Sequence, residues 1–441
     1  MENHLKYFIH TFGCQMNISD AERISAVLEK IGYSPASNEK EADLIVAVMC
    51  SVRQSAVDRI FGMAKNISEI KIKNPNLKTV LTGCILPEDF KKSVKIFDYI
   101  LPIKKLSQWP EMLREENQYQ AIDRMETDCS YLAIKPKYKD NFSVSIPISN
   151  GCDNFCTYCA VPYTRGKLVS RSHKAILEEA ENAIKNGAKE IWLLGQNVND
   201  YNWKGINFAK LLEMVNALEG SFWIRFTSPH PKNFSDATIE TIARCRKIAP
   251  YLSLPLQSGS NEVLRRMNRP YTVNDYNAIV KRIRKSFKSQ RPGLEGDPAL
   301  ATDIIVGYPG EIKKQFEETA KMMSDIKYDM AYIAQYSPRP GTRAAYIPDN
   351  VAKAEKQKRW EKLTEILERT ALNRNKIFVG HTVEVLIKEQ RKDVILGKSR
   401  HFKTVKIKIP QDLEGKKFIG KFVKAEINKA LPWGLEGELV K

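Results

Sequence analysis

Apolar and polar positions follow three successive rhythms along the chain. In roughly the first 120 residues, short β-branched or aromatic runs at 7–12, 44–49 and 79–82 alternate with stretches of helical period, which predicts parallel βαβ units. Helices are predicted from about Ser19 or Asp20 and from about Ser55. Each strand run ends at a cysteine: Gly13-Cys14 follows the first, Cys50 closes the second and Gly83-Cys84 follows the third. Loops at the carboxyl ends of an open parallel sheet converge on the ligand crevice. Three cysteines spaced one βα unit apart are therefore expected to meet on one sheet edge.

Residues 123–141 are polar and mixed and are expected to form a linker. Beyond them the βα alternation resumes, with strand runs at 143–149, 190–194, 223–228, 251–256, 302–307 and 330–336. Six such units predict a partial (β/α)6 barrel over 142–375, closed by a charged helix at 352–375, with function at the carboxyl ends of its strands. The tail then changes character. Runs at 383–387, 404–409 and 422–427 alternate apolar with polar residues between glycine-containing turns, as small antiparallel β barrels do. The expected fold class is α/β: an open parallel α/β domain (1–122), the linker, the partial barrel, and a small antiparallel β barrel (376–441).

Composition narrows the partners. With 43% hydrophobic and 28% charged residues the 441-residue chain can bury a core in each domain, which makes disorder a poor reading. No run approaches the ~20 uncharged apolar residues of a spanning helix, and the start, Met-Glu-Asn-His-Leu-Lys, has no apolar core of a secretory signal. A cytoplasmic protein with no membrane partner is expected, in which eight cysteines are kept reduced and are read first for metal or catalysis. The formal charge of +18 fits a polyanionic partner, or surplus lysine kept for solubility. Residues 376–441 hold 15 Lys and Arg against 8 Asp and Glu, the balance of a nucleic-acid module or of a solvated basic surface.

The sharpest chemical signal is Cys152-Asp153-Asn154-Phe155-Cys156-Thr157-Tyr158-Cys159, a CxxxCxxC run directly after a predicted strand. Three thiolates this close can hold three irons of a four-iron four-sulfur cluster and leave the fourth open. Structural zinc wants four protein ligands, and no fourth Cys or His lies beside the run. Three buried structural thiols would not need this spacing or so polar a loop. An open iron can bind the amino and carboxylate groups of S-adenosylmethionine and pass it an electron, which implies radical chemistry.

At these residues the chain resembles the radical S-adenosylmethionine methylthiotransferases, whose members carry an N-terminal domain with a second cluster, a radical barrel and a C-terminal TRAM domain. The resemblance rests on Thr11-Phe12-Gly13-Cys14-Gln15-Met16-Asn17, Cys50-Ser51-Val52-Arg53, Gly83-Cys84 and the stretch 156–166, and covers nearly the whole chain. Leu194-Gly195-Gln196-Asn197-Val198-Asn199 and Phe226-Thr227-Ser228-Pro229-His230-Pro231 are similar to the MiaB branch, which adds a methylthio group to C2 of an isopentenylated adenosine beside the anticodon of tRNA. The resemblance implies two four-iron four-sulfur clusters, a radical one on Cys152, Cys156 and Cys159 and an auxiliary one on Cys14, Cys50 and Cys84. It also implies two S-adenosylmethionine molecules, one donating a methyl group to sulfide on the auxiliary cluster and one cleaved to a 5′-deoxyadenosyl radical. A reducing electron-donor protein and a sulfur source, neither identifiable from the chain, complete the partners. Val48-Met49 before Cys50 and Ile85-Leu86-Pro87 after Cys84 depart from the family's usual Asn-Thr and Ala-Gln types.

Adenine C2 has no acidic proton, so the cofactors carry the chemistry and no catalytic triad or general base is expected. Polar residues at the predicted barrel mouth, Gln196, Asn197, Ser228 and Gln257, together with Tyr158 between two cluster cysteines, are candidate S-adenosylmethionine contacts, with helix capping as the alternative for each. Arg165 and Arg171 are candidates to meet tRNA phosphate, or are solvated arginines; His230 either touches substrate or simply belongs to a Ser-Pro-His-Pro turn, the turn being favoured. The basic run Lys281, Arg282, Arg284, Lys285, Lys288 and Arg291 reads as solvated helix surface, and Cys129 and Cys245 stand outside both trios. Rival readings are methylthiolation of threonylcarbamoyl adenosine in tRNA or of a ribosomal-protein aspartate, and, in another class, a non-catalytic iron–sulfur RNA-binding protein. A basic ribosomal target would be repelled by the basic tail.

Overall fold

The structure is a computed structural model that describes residues 5–115, 119, 129–410, 413 and 415–440. The expected linker residues 123–128 lie outside the described residues.

The N-terminal sheet is wholly parallel. Its strands β1 (Lys6–Thr11), β2 (Ser34–Pro35), β3 (Leu44–Cys50), β4 (Lys78–Cys84) and β5 (Tyr99–Ile100) lie in the order β2-β1-β3-β4-β5. β3 is buried on both faces along its whole length, which is why its sequence is a continuous apolar run rather than an alternation. Helix α1 (Gln15–Lys30) begins at Cys14, several residues before the expected start, because Cys14 takes the extended cap position and its carbonyl accepts from Asn17 N–H. Residues 129–140 do more than connect. Tyr131 and Leu132 are buried in the N-terminal core, and Tyr131 Oη donates to Asp20 on α1.

The central unit is an open barrel of two three-stranded parallel sheets: β6 (Ser143–Pro147), β7 (Glu190–Leu194) and β8 (Trp223–Phe226), then β9 (Tyr251–Ser253), β10 (Ala299–Val306) and β11 (Met330–Gln335). A parallel bridge between Ile224 and Ile248 joins the halves. β6 and β11 are its two free edges, and α1 packs against β6, where Ser19 Oγ donates to Ser145 O and Arg23 pairs with Glu179. The long charged helix α2 (Lys353–Lys376) lies along β11.

The C-terminal module is a closed five-stranded barrel of β12 (Thr382–Gln390), β13 (Val394–Ser399), β14 (Thr404–Lys408), β15 (Phe422–Leu431) and β16 (Gly434–Leu439). Four of its seams are antiparallel and the β14–β16 seam is parallel. It is fixed to the larger barrel by Arg225, which is buried and donates to Glu190 (2.6 Å) and to the carbonyls of Ser399 and Arg400. Phe402 caps the same contact, edge-on to Trp192. Among the described residues no helix is long and apolar enough to cross a membrane.

Candidate active site

The three N-terminal cysteines gather because the parallel register aligns the ends of neighbouring strands. Cys50 pairs directly with Cys84, and Met49 with Gly83. Gly83 has φ +101°, and a Cβ there would stand 2.4 Å from Met49 O, so only glycine allows β4 this close to β3. Cys14 is carried to the same edge by the β1–α1 turn. Asn17, fully buried, accepts from Cys14 Sγ (3.2 Å) and donates to Met49 O (2.8 Å), tying that turn to β3. The departures from the family pattern are absorbed in packing: Val48, Met49, Ile85 and Leu86 are all buried.

The second trio lies on one loop between β6 and the short helix Val161–Arg165. The loop is held at several points. Gly151 N–H donates to Gln196 Oε1 (2.7 Å), Cys152 N–H to Gly166 O, and Thr157 N–H to Met267 O. Gly151 has φ +83°, and a Cβ would meet Lys167 O at 2.0 Å. Asn268 donates to the carbonyls of Asn154 and Phe155, fixing Phe155 at φ +46°.

Burial pushes the thiols of Cys84 and Cys159 up to about 12 and raises those of Cys50 and Cys152, so none is comfortable as an uncompensated thiolate. Among the described residues no three Cys, His, Asp or Glu side chains converge as one metal ion requires. Cubane ligands sit on separate irons and need not converge so closely. A soft, all-thiolate donor set, with Cys50, Cys84 and Cys156 buried and Cys14 open to the cavity, fits iron–sulfur clusters.

Two adjoining cavities join the trios. One, of about 480 Å³, is lined by Cys14, Cys50, Cys84, Gln196 and Ser228 among others. The other, of about 950 Å³, is lined by Cys14, Tyr158, Cys159, Ser228, Gln257, Asp303, Tyr332, Trp360 and Trp433 among others. Cys14, Val52, Arg53, Ser228 and Tyr332 line both. Tyr158, Gln196, Ser228 and Gln257 thus reach this space. Asn197 lines neither cavity; it is buried and donates to Asp200 Oδ2 (2.5 Å). Ser228 (φ +52°) and Gln257 (φ +70°) are left-handed without being glycine, a conformation that costs of order 1–3 kcal/mol and concentrates at ligand clamps.

Several expectations are corrected. Arg165 and Arg171 do not offer charge to phosphate. Arg165 is buried and pairs with Asp20 (2.6 Å), while Arg171 is buried, pairs with Glu179 (2.8 Å) and donates to Pro147 O. The basic run is solvated only in part, since Arg291 is buried and donates to the carbonyls of Ile242, Ala243, Cys245 and Ile248. His230 does form the turn, with Nδ1 accepting from Lys232 N–H, and burial keeps it neutral. The sequence also gave no sign of Arg269, which is buried with Nη1 3.5 Å from Cys156 Sγ, or of Asp303, whose carboxyl burial pushes up to about 6.

A CxxxCxxC loop at the strand ends of an open parallel barrel defines a radical S-adenosylmethionine protein, and the comparisons agree. A model described as the Radical SAM superfamily matches residues 146–323, and one described as uncharacterized protein family UPF0004 matches residues 6–101. The radical S-adenosylmethionine methyltransferase TsrM from Kitasatospora setae, solved with cobalamin and a four-iron four-sulfur cluster bound, has a TM-score of 0.53 at 12% identity, covering 78% of this chain and 77% of that one, a likeness of fold alone. The chain is 38% identical to a tRNA-2-methylthio-N(6)-dimethylallyladenosine synthase of Clostridium botulinum (strain Okra / Type B1), over 98% of this chain and 96% of the relative. It is 37% identical to the synthase of that name from Thermoanaerobacter pseudethanolicus, over 99% and 93%. The chain belongs to the tRNA-2-methylthio-N(6)-dimethylallyladenosine synthase family.

Proposed function

We propose that the protein methylthiolates C2 of N6-isopentenyladenosine beside the anticodon of tRNA in the cytoplasm, with S-adenosylmethionine and two four-iron four-sulfur clusters as its cofactors. Cys152, Cys156 and Cys159 would hold the radical cluster and Cys14, Cys50 and Cys84 the auxiliary one. When bound, these groups supply the electron that cleaves S-adenosylmethionine to a 5′-deoxyadenosyl radical and the sulfur that is transferred. The observation that carries the reading is that Cys14 and Cys159 line one cavity of about 950 Å³, within the range that holds a cosubstrate and a nucleoside.

The protein's own groups bind, orient and shield. Tyr158, Gln196, Ser228 and Gln257 are the candidate S-adenosylmethionine contacts, and Gln196 also pins the radical loop through Gly151 N–H. Tyr332, Trp360 and Trp433, with Met330, Ile333 and Leu367, make an apolar wall suited to an adenine extruded from the anticodon loop and to its prenyl chain. Trp433 comes from the C-terminal barrel, so the basic module would grip the stem while its hairpin reaches the reacting nucleoside. Asn375 supports that hairpin by donating to Leu431 O and Pro432 O. An electron-donor protein and a sulfur source are the remaining partners.

The apolar wall favours a prenyl group over the carboxylate-bearing threonylcarbamoyl group. Mass analysis of nucleosides from isopentenylated and threonylcarbamoylated anticodon stem loops, each treated with reconstituted protein, tests the choice. Product on the first supports it; product on only the second overturns it.

A further inference from the structure

Each trio contains a sulfur that faces a buried guanidinium: Arg269 Nη1 lies 3.5 Å from Cys156 Sγ, and Arg165 Nε lies 3.0 Å from Cys84 Sγ. The Arg165 contact is the shorter, and it crosses between domains. Arg165 ends the helix after the radical loop, yet its sulfur partner lies 81 residues earlier, on β4.

Every edge of this guanidinium is used. Nε donates to Cys84 Sγ, Nη1 to Asn150 Oδ1 (3.2 Å) and Tyr131 Oη (3.4 Å), and Nη2 to Asp20 Oδ2 (2.6 Å). Asp20 is itself fixed, its other oxygen accepting from Tyr131 Oη (3.2 Å). Asn150 donates back to Arg165 O (3.3 Å) and stands two residues before Cys152; Asp20 sits on the helix that Cys14 caps. The side chain is 4% exposed and its charge is balanced by Asp20, so its role is directed inward. A planar fork held on three sides aims its Nε–H at one sulfur, which a flexible ammonium would not do.

We propose that Arg165 is a positioning residue of the auxiliary site: its Nε–H donates to the Cys84 thiolate, draws electron density from it, and raises the reduction potential of the cluster held there. Hydrogen bonds to cluster sulfurs are among the levers that set such potentials. Asp20 orients the donor, and the same side chain keeps the auxiliary edge in register with the strand end that starts the radical loop. The proposal rests on the reading that Cys14, Cys50 and Cys84 hold a cluster.

The test uses the full chain with Cys152, Cys156 and Cys159 replaced by Ala, reconstituted so that only the auxiliary cluster reports. Its midpoint potential is measured by redox titration monitored by electron paramagnetic resonance, for Arg165, R165K and R165M. R165M should retain about four irons per chain and titrate at a more negative potential, with R165K between. An unmoved potential at full iron content in R165M overturns the proposal. If R165M takes up no iron, the terminal Fe–S stretching frequency of R165K decides: a rise relative to Arg165 supports the lost hydrogen bond, and an unchanged frequency overturns it. An equal shift of the radical cluster, measured in a C14A/C50A/C84A background, would mean general loosening and also overturn it. No iron in the parent itself would sink the underlying auxiliary-site reading, a different failure.

Discussion

The two cysteine trios reach similar chemistry by opposite routes. Cys152, Cys156 and Cys159 lie on one loop, so their proximity is built into the chain before folding and the surroundings only pin it, through Gln196, Met267 and Asn268. Cys14, Cys50 and Cys84 come from three strand ends, and they meet only when the parallel sheet has its correct register. A local site should tolerate perturbation of the fold; an assembled one should fail with it.

Removing each trio breaks the comparison most completely. C14A/C50A/C84A should take iron from about eight to about four per chain, abolish methylthiolation and keep reductive cleavage of S-adenosylmethionine. C152A/C156A/C159A should show the same iron loss but lose cleavage as well. Iron analysis with quantification of 5′-deoxyadenosine checks both.

Next in size is D20N. It leaves the buried Arg165 guanidinium without its carboxylate, and breaking such a pair costs about 3–5 kcal/mol. Denaturant unfolding should register that loss, with auxiliary iron falling before radical iron. G83A sharpens the point locally. The added Cβ at 2.4 Å from Met49 O must push β4 from β3, so a loss of about 2–3 kcal/mol and selective depletion of auxiliary iron are expected. The mirrored G151A, at 2.0 Å from Lys167 O, should deplete the radical site instead.

The smallest effect concerns pH. Burial raises the Asp303 carboxyl from 3.8 to about 6, so the folded state holds its proton more tightly than the unfolded state. Stability from this group is therefore full below about pH 4, falls as pH rises to about 6, and stays reduced above. D303N should match the parent near pH 4 and be the more stable protein above pH 7, read as Tm against pH on the protein without S-adenosylmethionine.

The same contrast explains what could be read from the chain. CxxxCxxC needs no fold to be recognised, and the auxiliary cysteines were visible because each closes a strand run, which the βα alternation marks. Arg165 reads from sequence as a phosphate contact or a solvated arginine, and is neither, because its partners Asp20 and Cys84 lie 145 and 81 residues away and no local spacing encodes them. Arg291 looked like one more solvated charge because the carbonyls it satisfies belong to a neighbouring element. Strands β13 and β16 escaped notice because Gly397, Gly434 and Gly437 interrupt their alternation. The 129–140 segment read as a linker from its polar neighbours, although Tyr131 and Leu132 belong to a core assembled from α1 and β-strand residues far earlier in the chain.

The central claim is that two separable sites serve one cavity. It is tested most directly by incubating C14A/C50A/C84A protein, with its radical site reconstituted, with S-adenosylmethionine, reductant and isopentenylated anticodon stem loop, and measuring both products by mass spectrometry. The account predicts 5′-deoxyadenosine without 2-methylthio nucleoside. Methylthio product from this variant, or no 5′-deoxyadenosine, would contradict it.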